Sequence, residues 1–131
     1  MKKGILFLSV LLILTFSLSA FKFDETKDAK KNSVKPKVTF VELGSVNCIP
    51  CKQMQPVMKA IERKYGDQVK VIFYDVWTQE QKKYANLYKI KLIPTQVFLD
   101  ENGKEFHRHE GFYPETEIDK ILTSKGLKAK K

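Results

Sequence analysis

Val38-Thr39-Phe40-Val41-Glu42-Leu43-Gly44-Ser45-Val46-Asn47-Cys48-Ile49-Pro50-Cys51-Lys52 decides the fold. Residues 38–43 form a near-continuous β-prone run and read as a buried strand. The only two cysteines of the chain follow at C-x-x-C spacing, and a helical pattern then runs over residues 52–65, with Gly66 as its stop. A strand that enters a helix through two cysteines sets Cys48 at the helix N-terminus, where unpaired N–H groups and the positive end of the dipole favour an anion. A free thiol with a pKa near about 8.5 is only about 3% thiolate at pH 7, whereas one lowered to about 7 is roughly half ionised. The gain in reactive species is about fifteenfold. Cys51, one turn further on and nearer the interior, is placed to attack a mixed disulfide formed by Cys48.

Working outward, residues 69–75 are a second β-prone run, so strand, helix and strand make a βαβ unit with parallel strands. Residues 79–88 read as a second helix, with Tyr84, Leu87 and Tyr88 as its core-facing stripe. Residues 95–99 and 105–112 flank Asp100-Glu101-Asn102-Gly103, whose Asn-Gly pair tolerates the positive φ angles of a tight turn, and read as an antiparallel hairpin. Pro114 suits a first helical position, and Ile118, Ile121 and Leu122 give one apolar face to a last helix ending at Gly126. The order is β-α-β-α-β-β-α, an α/β protein with a central mixed sheet flanked by helices.

The ends carry different information. Residues 1–20 have the parts of an export signal: Lys2 and Lys3, an apolar stretch over 5–18, and the small residues Ser17, Ser19 and Ala20 before a cut. An uncleaved membrane anchor is the alternative. Residues 21–36 are charged, lack apolar periodicity and read as a flexible spacer. Residues 37–126 form one domain, and 127–131 a basic tail. The formal net charge is +9; without Lys2 and Lys3, 24 − 2 = 22 basic residues against 15 acidic ones leave +7. That charge is diffuse, with no Arg-rich or aromatic-interleaved stripe, so nucleic acid is not an expected partner. Two cysteines this close shut almost no loop, which favours a redox role over a structural one. His107 and His109 alternate with Phe106 and Arg108, so they share one strand face; binding a metal together with the cysteines is the alternative, but they read as solvent-facing strand residues.

Residues 37–126 resemble the thioredoxin family at four separate places. Cys48-Ile49-Pro50-Cys51-Lys52 resembles the active-site C-x-P-C-K. Pro56 resembles the proline within the active-site helix. Tyr88-Lys89-Ile90-Lys91-Leu92-Ile93-Pro94-Thr95 resembles the segment ending in the family's cis-proline, and Gly111 falls at the glycine after the hairpin. The resemblance implies the thioredoxin fold and thiol–disulfide oxidoreductase activity with no cofactor or metal. Cys48 is then nucleophile and Cys51 resolves. Ile93 and Pro94, with Ile49 and Pro50, form the substrate-docking surface. Glu42, an acid inside an apolar strand, matches a buried aspartate that moves a proton for the resolving cysteine; a desolvated carboxyl has a raised pKa and suits that task.

The chain also departs from the family. Asn47 replaces the tryptophan before the first cysteine and is expected to cap the helix. Val71 stands where a lysine would pair with the buried acid. The expected partners are protein disulfides and a membrane-embedded electron donor, the expected state a monomer, and the expected place the periplasm or another extracytoplasmic compartment. Reduction is the favoured direction, in disulfide repair or cytochrome c maturation, because Ile49-Pro50 lacks the histidine of strongly oxidising relatives. An oxidant of exported proteins and a binding module with a static disulfide are the alternatives.

Overall fold

The computed structural model describes residues 35–130; the export signal and most of the spacer read from the sequence lie outside them. The elements are β1 (Val38–Gly44), α1 (Ile49–Tyr65), β2 (Val69–Asp75), α2 (Lys83–Leu87), β3 (Thr95–Asp100), β4 (Glu105–Glu110) and α3 (Glu115–Ser124), with a 3₁₀ turn at Gly66–Gln68 before β2. The sheet order is β2-β1-β3-β4. β1 pairs parallel with β2 and antiparallel with β3, and β3 pairs antiparallel with β4. The expected order of elements and the expected mixed sheet are therefore both present.

Alternation along β1 divides the core into two layers. Phe40 joins Phe98, Met54, Met58, Ile61, Ile118 and Leu122 on the face covered by α1 and α3. Phe40 and Phe98 stack across the β1–β3 ladder with ring centroids 4.8 Å apart. Val41, Leu43 and Val97 point the other way, toward Tyr74, Tyr84, Ala85 and Tyr88. The α1 face is anchored again at its far end, where the buried Tyr65 donates its hydroxyl to Asp119 at 2.9 Å and Lys64 pairs with the same carboxylate.

Several boundaries differ from those read in the sequence. The second helix spans only Lys83–Leu87, because Gln79, Glu80, Gln81 and Lys82 carry no apolar face to bury and Gln81 Oε1 instead accepts the Asp75 N–H at 2.7 Å. Within it Tyr84 stacks on Tyr74 at 3.6 Å, but Leu87 is exposed, so the expected stripe is only partly core. In the hairpin turn Gly103 alone has a positive φ, of 78°. The Asp100 carboxylate fixes the turn by accepting the N–H groups of Asn102 and Lys104. β4 stops at Glu110, since Gly111 at φ 92° turns its N–H to Pro94 O at 2.7 Å.

Pro114 is the N-cap of α3 rather than its first residue. The packed chain also runs past Gly126. Leu127 N–H reaches Leu122 O and Gly126 N–H reaches Thr123 O, a Schellman closure that folds Leu127 into the core. Lys130 N–H then bonds to Lys64 O at 2.7 Å, so residues 127–130 of the stretch read as a basic tail are docked. His107 and His109 are half-buried rather than solvent-facing. His107 hydrogen-bonds to the Tyr113 hydroxyl at 3.0 Å, and His109 stacks on the Tyr113 ring at 3.9 Å.

Candidate active site

The site forms where β1 ends and α1 begins. Ser45 accepts the Cys48 N–H through its carbonyl and the Asn47 N–H through its hydroxyl, which turns the chain out of the strand. Cys48 is the N-cap of α1, with extended backbone at φ −95° and ψ 125°. Its sulfur accepts the Cys51 N–H at 3.4 Å, taking the capping position expected for Asn47. Asn47 lies one residue too early, outside the helix start. Pro50 lies in the first turn, where its missing N–H costs nothing. Pro56 lies inside α1, which continues to Tyr65.

Cys48 and Cys51 are joined as a disulfide, with Cα atoms 5.2 Å apart. The two sulfurs have different surroundings. Cys48 retains 8% exposure beside the open Ile49 side chain, whereas Cys51 is wholly buried against the sheet. Gly44 makes that burial feasible, because a Cβ there would stand 3.2 Å from both Cβ and Sγ of Cys51 and 3.3 Å from the Phe73 ring. This is a close-packing requirement for glycine.

Glu42 lies two residues before Gly44 and so leaves the same face of β1, beneath the first turn of α1. It is wholly buried, and neither carboxyl oxygen has a hydrogen-bond partner. Burial pushes its carboxyl from 4.5 up to about 8, a rise that the nearby Gln96 amide only partly offsets. Its neighbour on β2 is Phe73, so that side of the acid is apolar.

The Ile93–Pro94 peptide bond is cis, directly before β3. Thr95 pairs with Leu43 on one side and Glu110 on the other, which brings Pro94 to the same end of the sheet as the cysteines. Pro94 is buried and Ile93 half-buried. Ile93 lines an open groove of about 270 Å³ together with Val76, Trp77, Ala85, Ile90 and Leu92. Trp77, at 62% exposure, and Ile49, at 74%, are apolar surface at this end of the molecule, as are Val46 and Leu92. This end of the sheet thus presents apolar side chains around the polar Asn47. Asp75 holds the loops in place, accepting the Val46 N–H at 3.2 Å and the Trp77 N–H at 3.1 Å.

Of the residues singled out in the sequence, the structure brings Cys48, Cys51, Glu42, Ile93 and Pro94 to one end of the sheet, with Ile49 and Pro50 exposed above them. Gly44, Asp75, Trp77 and Gln96 had no assigned part. Gln96 carried the same signal as Glu42, a polar side chain within an apolar strand. Among the described residues, no group of His, Cys, Asp and Glu is arranged to hold a metal ion.

A disulfide between an N-cap sulfur and a buried sulfur one helical turn away opens and closes by exchange with other thiols and disulfides, which makes the chain a thiol–disulfide oxidoreductase. Comparison with known proteins gives the lineage. The model of the thioredoxin-like domain family matches residues 23–125. The rice (Oryza sativa subsp. japonica) thioredoxin H2-1 is 31% identical over 106 residues, covering 81% of this chain and 72% of that protein. The chloroplastic thioredoxin Y of the same plant is 31% identical over 102 residues, 78% of this chain and 56% of that protein's length. The Fasciola hepatica thioredoxin structure superposes with a TM-score of 0.59 at 28% identity, covering 71% of this chain and 85% of that one. The chain belongs to the thioredoxin-like domain family, whose members act on protein disulfides.

Proposed function

We propose that the protein is an exported reductant of protein disulfides. The observation that carries this reading is the asymmetry of the two sulfurs, Cys48 at the helix cap and the edge of the surface, Cys51 wholly buried. The Cys48 thiolate attacks one sulfur of a substrate disulfide, forming a mixed disulfide and expelling the other sulfur as a thiolate. Cys51 then attacks the Cys48 sulfur, closing the internal disulfide and releasing the second substrate sulfur. The two electrons lost by the dithiol are those gained by the substrate. The proton leaving Cys51 goes to Glu42 in its ionised form, a carboxyl whose pKa burial raises to about 8, close enough to that of a thiol for the two to exchange a proton.

Substrate docks as an extended segment along the Ile93–Pro94 backbone, with apolar side chains against Ile49, Pro50 and the Trp77 groove. Reduction is favoured over oxidation because Ile49-Pro50 places no cationic side chain beside Cys48 to stabilise its thiolate further. Export rests on the composition of residues 1–20, and it brings with it an extracytoplasmic site of action and a membrane-embedded electron donor. The protein works as a monomer.

Insulin disulfide reduction tests the assignment. Cys48→Ser abolishes turnover, and Cys51→Ser accumulates a mixed disulfide through Cys48 that runs as an adduct on a non-reducing gel and disappears on reduction. Trapping through Cys51 in the Cys48→Ser protein would reverse the two roles, and a wild-type protein without turnover would make the bridge static.

A further inference from the structure

Trp77 is the only tryptophan of the chain, and its indole is exposed. It lines a groove of about 270 Å³ with Ala85, Ile90, Leu92 and Ile93, and Leu92 is exposed as well. Leaving two large apolar side chains in water beside a concavity forgoes the stabilisation of burying them, which points to a partner that covers them.

The groove is built before anything enters it. The two oxygens of the Asp75 carboxylate accept the N–H groups of Trp77 and Val46, and the Thr78 hydroxyl donates to Asp75 O at 2.9 Å. The loop that carries Trp77 is thereby tied to the loop that carries Cys48. At the end of α2, Lys89 takes a positive φ of 51°, and the Ile90 N–H returns to Ala85 O at 3.0 Å, which sets Ile90 against the helix.

Both walls also adjoin the sulfur pair. Val76 N–H donates to Gly44 O at 2.9 Å, and Gly44 is the residue packed on Cys51. Ile93 is bonded directly to Pro94. Cofactor-sized ligands fill about 300–1,000 Å³, so a groove of this size suits one side chain, and a flat lipid surface would leave it empty. Residues 76–93 carry four exposed lysines, Lys82, Lys83, Lys89 and Lys91, against one exposed acid, Glu80. Among the described residues none of these lysines is in an ion pair.

We infer that the Trp77 groove is a selectivity pocket: among protein disulfides it favours those whose reacting cysteine lies close to a large apolar side chain, aromatic above all, with acidic residues around it. Trp77 is then a specificity-determining residue, supplying from the β2–α2 loop an aromatic face that Asn47 does not supply beside Cys48. The substrate side chain packs on the indole and Leu92, and the acidic flanks meet the lysines, which adds selectivity more than affinity. The inference rests on the exchange reading, within which it names the substrate class, and it adds no covalent step.

The test uses the full chain carrying Cys51→Ser and tryptophan-free peptides with a single cysteine, activated as a mixed disulfide with thionitrobenzoate. Cys48 displaces the thionitrobenzoate thiolate and holds the peptide through a disulfide, and the emission of Trp77 then reports on the groove. Phenylalanine is placed in turn at the positions either side of the cysteine, between glutamates. At least one register moves the emission to shorter wavelength, and the alanine peptides do not. Adducts whose emission is the same with phenylalanine and alanine overturn the inference. Leu92→Ser, at an exposed position, abolishes the shift; a shift that survives it puts the side chain elsewhere and also overturns the inference. If that variant fails to fold, the comparison of adducts decides.

In reduction of disulfide-linked peptides by the wild type, phenylalanine in that register raises kcat/KM about tenfold over alanine, chiefly through KM. The preference for glutamate over lysine flanks shrinks at high salt. Equal kcat/KM values contradict the pocket. An emission shift of the peptide-free chain on phosphatidylglycerol vesicles, with none from the tethered peptides, would assign the patch to a membrane surface instead. A Cys48 that forms no adduct sinks the exchange reading and the inference with it, whereas adducts that form with equal emission sink the inference alone.

Discussion

Replacing Glu42 by Gln keeps the shape and polarity of the side chain and removes its titration. Folding raises this carboxyl from 4.5 to about 8, with desolvation as the main cause. Between those values the native state holds a proton that the unfolded chain has released. The native state therefore binds more protons, and stability falls as pH rises. The stabilising contribution is complete below the unfolded value and is lost as pH climbs through the folded one. Each pH unit inside the window costs about 1.4 kcal/mol, which gives a loss on the order of 2 kcal/mol by about pH 6 and on the order of 4 kcal/mol by about pH 8. The assay is urea unfolding of the disulfide form, wild type against Glu42→Gln, at steps between about pH 5 and pH 8, because Cys48 and Cys51 do not titrate in that form. All other groups are common to the two proteins, so the difference isolates Glu42. The variant should gain about 3 kcal/mol on wild type across that range. Parallel stability curves would refute the buried, neutral acid.

Three further outcomes follow from packing and hydrogen bonding. Gly44→Ala sets a Cβ 3.2 Å from the Cys51 sulfur and 3.3 Å from the Phe73 ring, neither at the end of a flexible chain; thermal unfolding should show a loss of about 1–3 kcal/mol, with slower closure of the Cys48–Cys51 bond in stopped-flow exchange. Tyr65→Phe removes the hydroxyl that donates to Asp119 at 2.9 Å and should cost about 1 kcal/mol in urea unfolding, without changing turnover. Burial and the neighbouring His109 hold the His107 imidazole below its usual pKa, so its contribution is complete above the unfolded value and is lost as pH falls through the lowered folded value; His107→Phe should flatten the acidic side of the stability curve, and an unchanged acidic limb would contradict it.

Much of this was legible in the chain because local signals agreed with one another. The apolar run before Cys48, the helical spacing after Lys52 and the glycine stop at Gly66 all point to one βαβ unit, and the structure forms it. Glu42 stood out for the same reason, as an acid with apolar neighbours. What could not be read depends on pairings between distant residues. The second helix is short because Gln81 is drawn to the Asp75 backbone, a contact that no periodicity encodes. Gly44 shows its necessity only once Cys51 is laid over it, and Gln96 its place opposite Glu42 only once β3 is paired with β1. The basic composition of residues 127–131 concealed the buried Leu127, because a single apolar residue after a helix-ending glycine gives no pattern until the Schellman turn places it.

The reduction potential of the Cys48–Cys51 pair tests the central claim most directly. The chain, equilibrated at about pH 7 with graded ratios of reduced and oxidised dithiothreitol or glutathione, is read by thiol alkylation. A reductant of protein disulfides has a midpoint near about −270 mV; a midpoint near about −120 mV would make the protein an oxidant, and a pair that stays bridged at every ratio would contradict exchange itself.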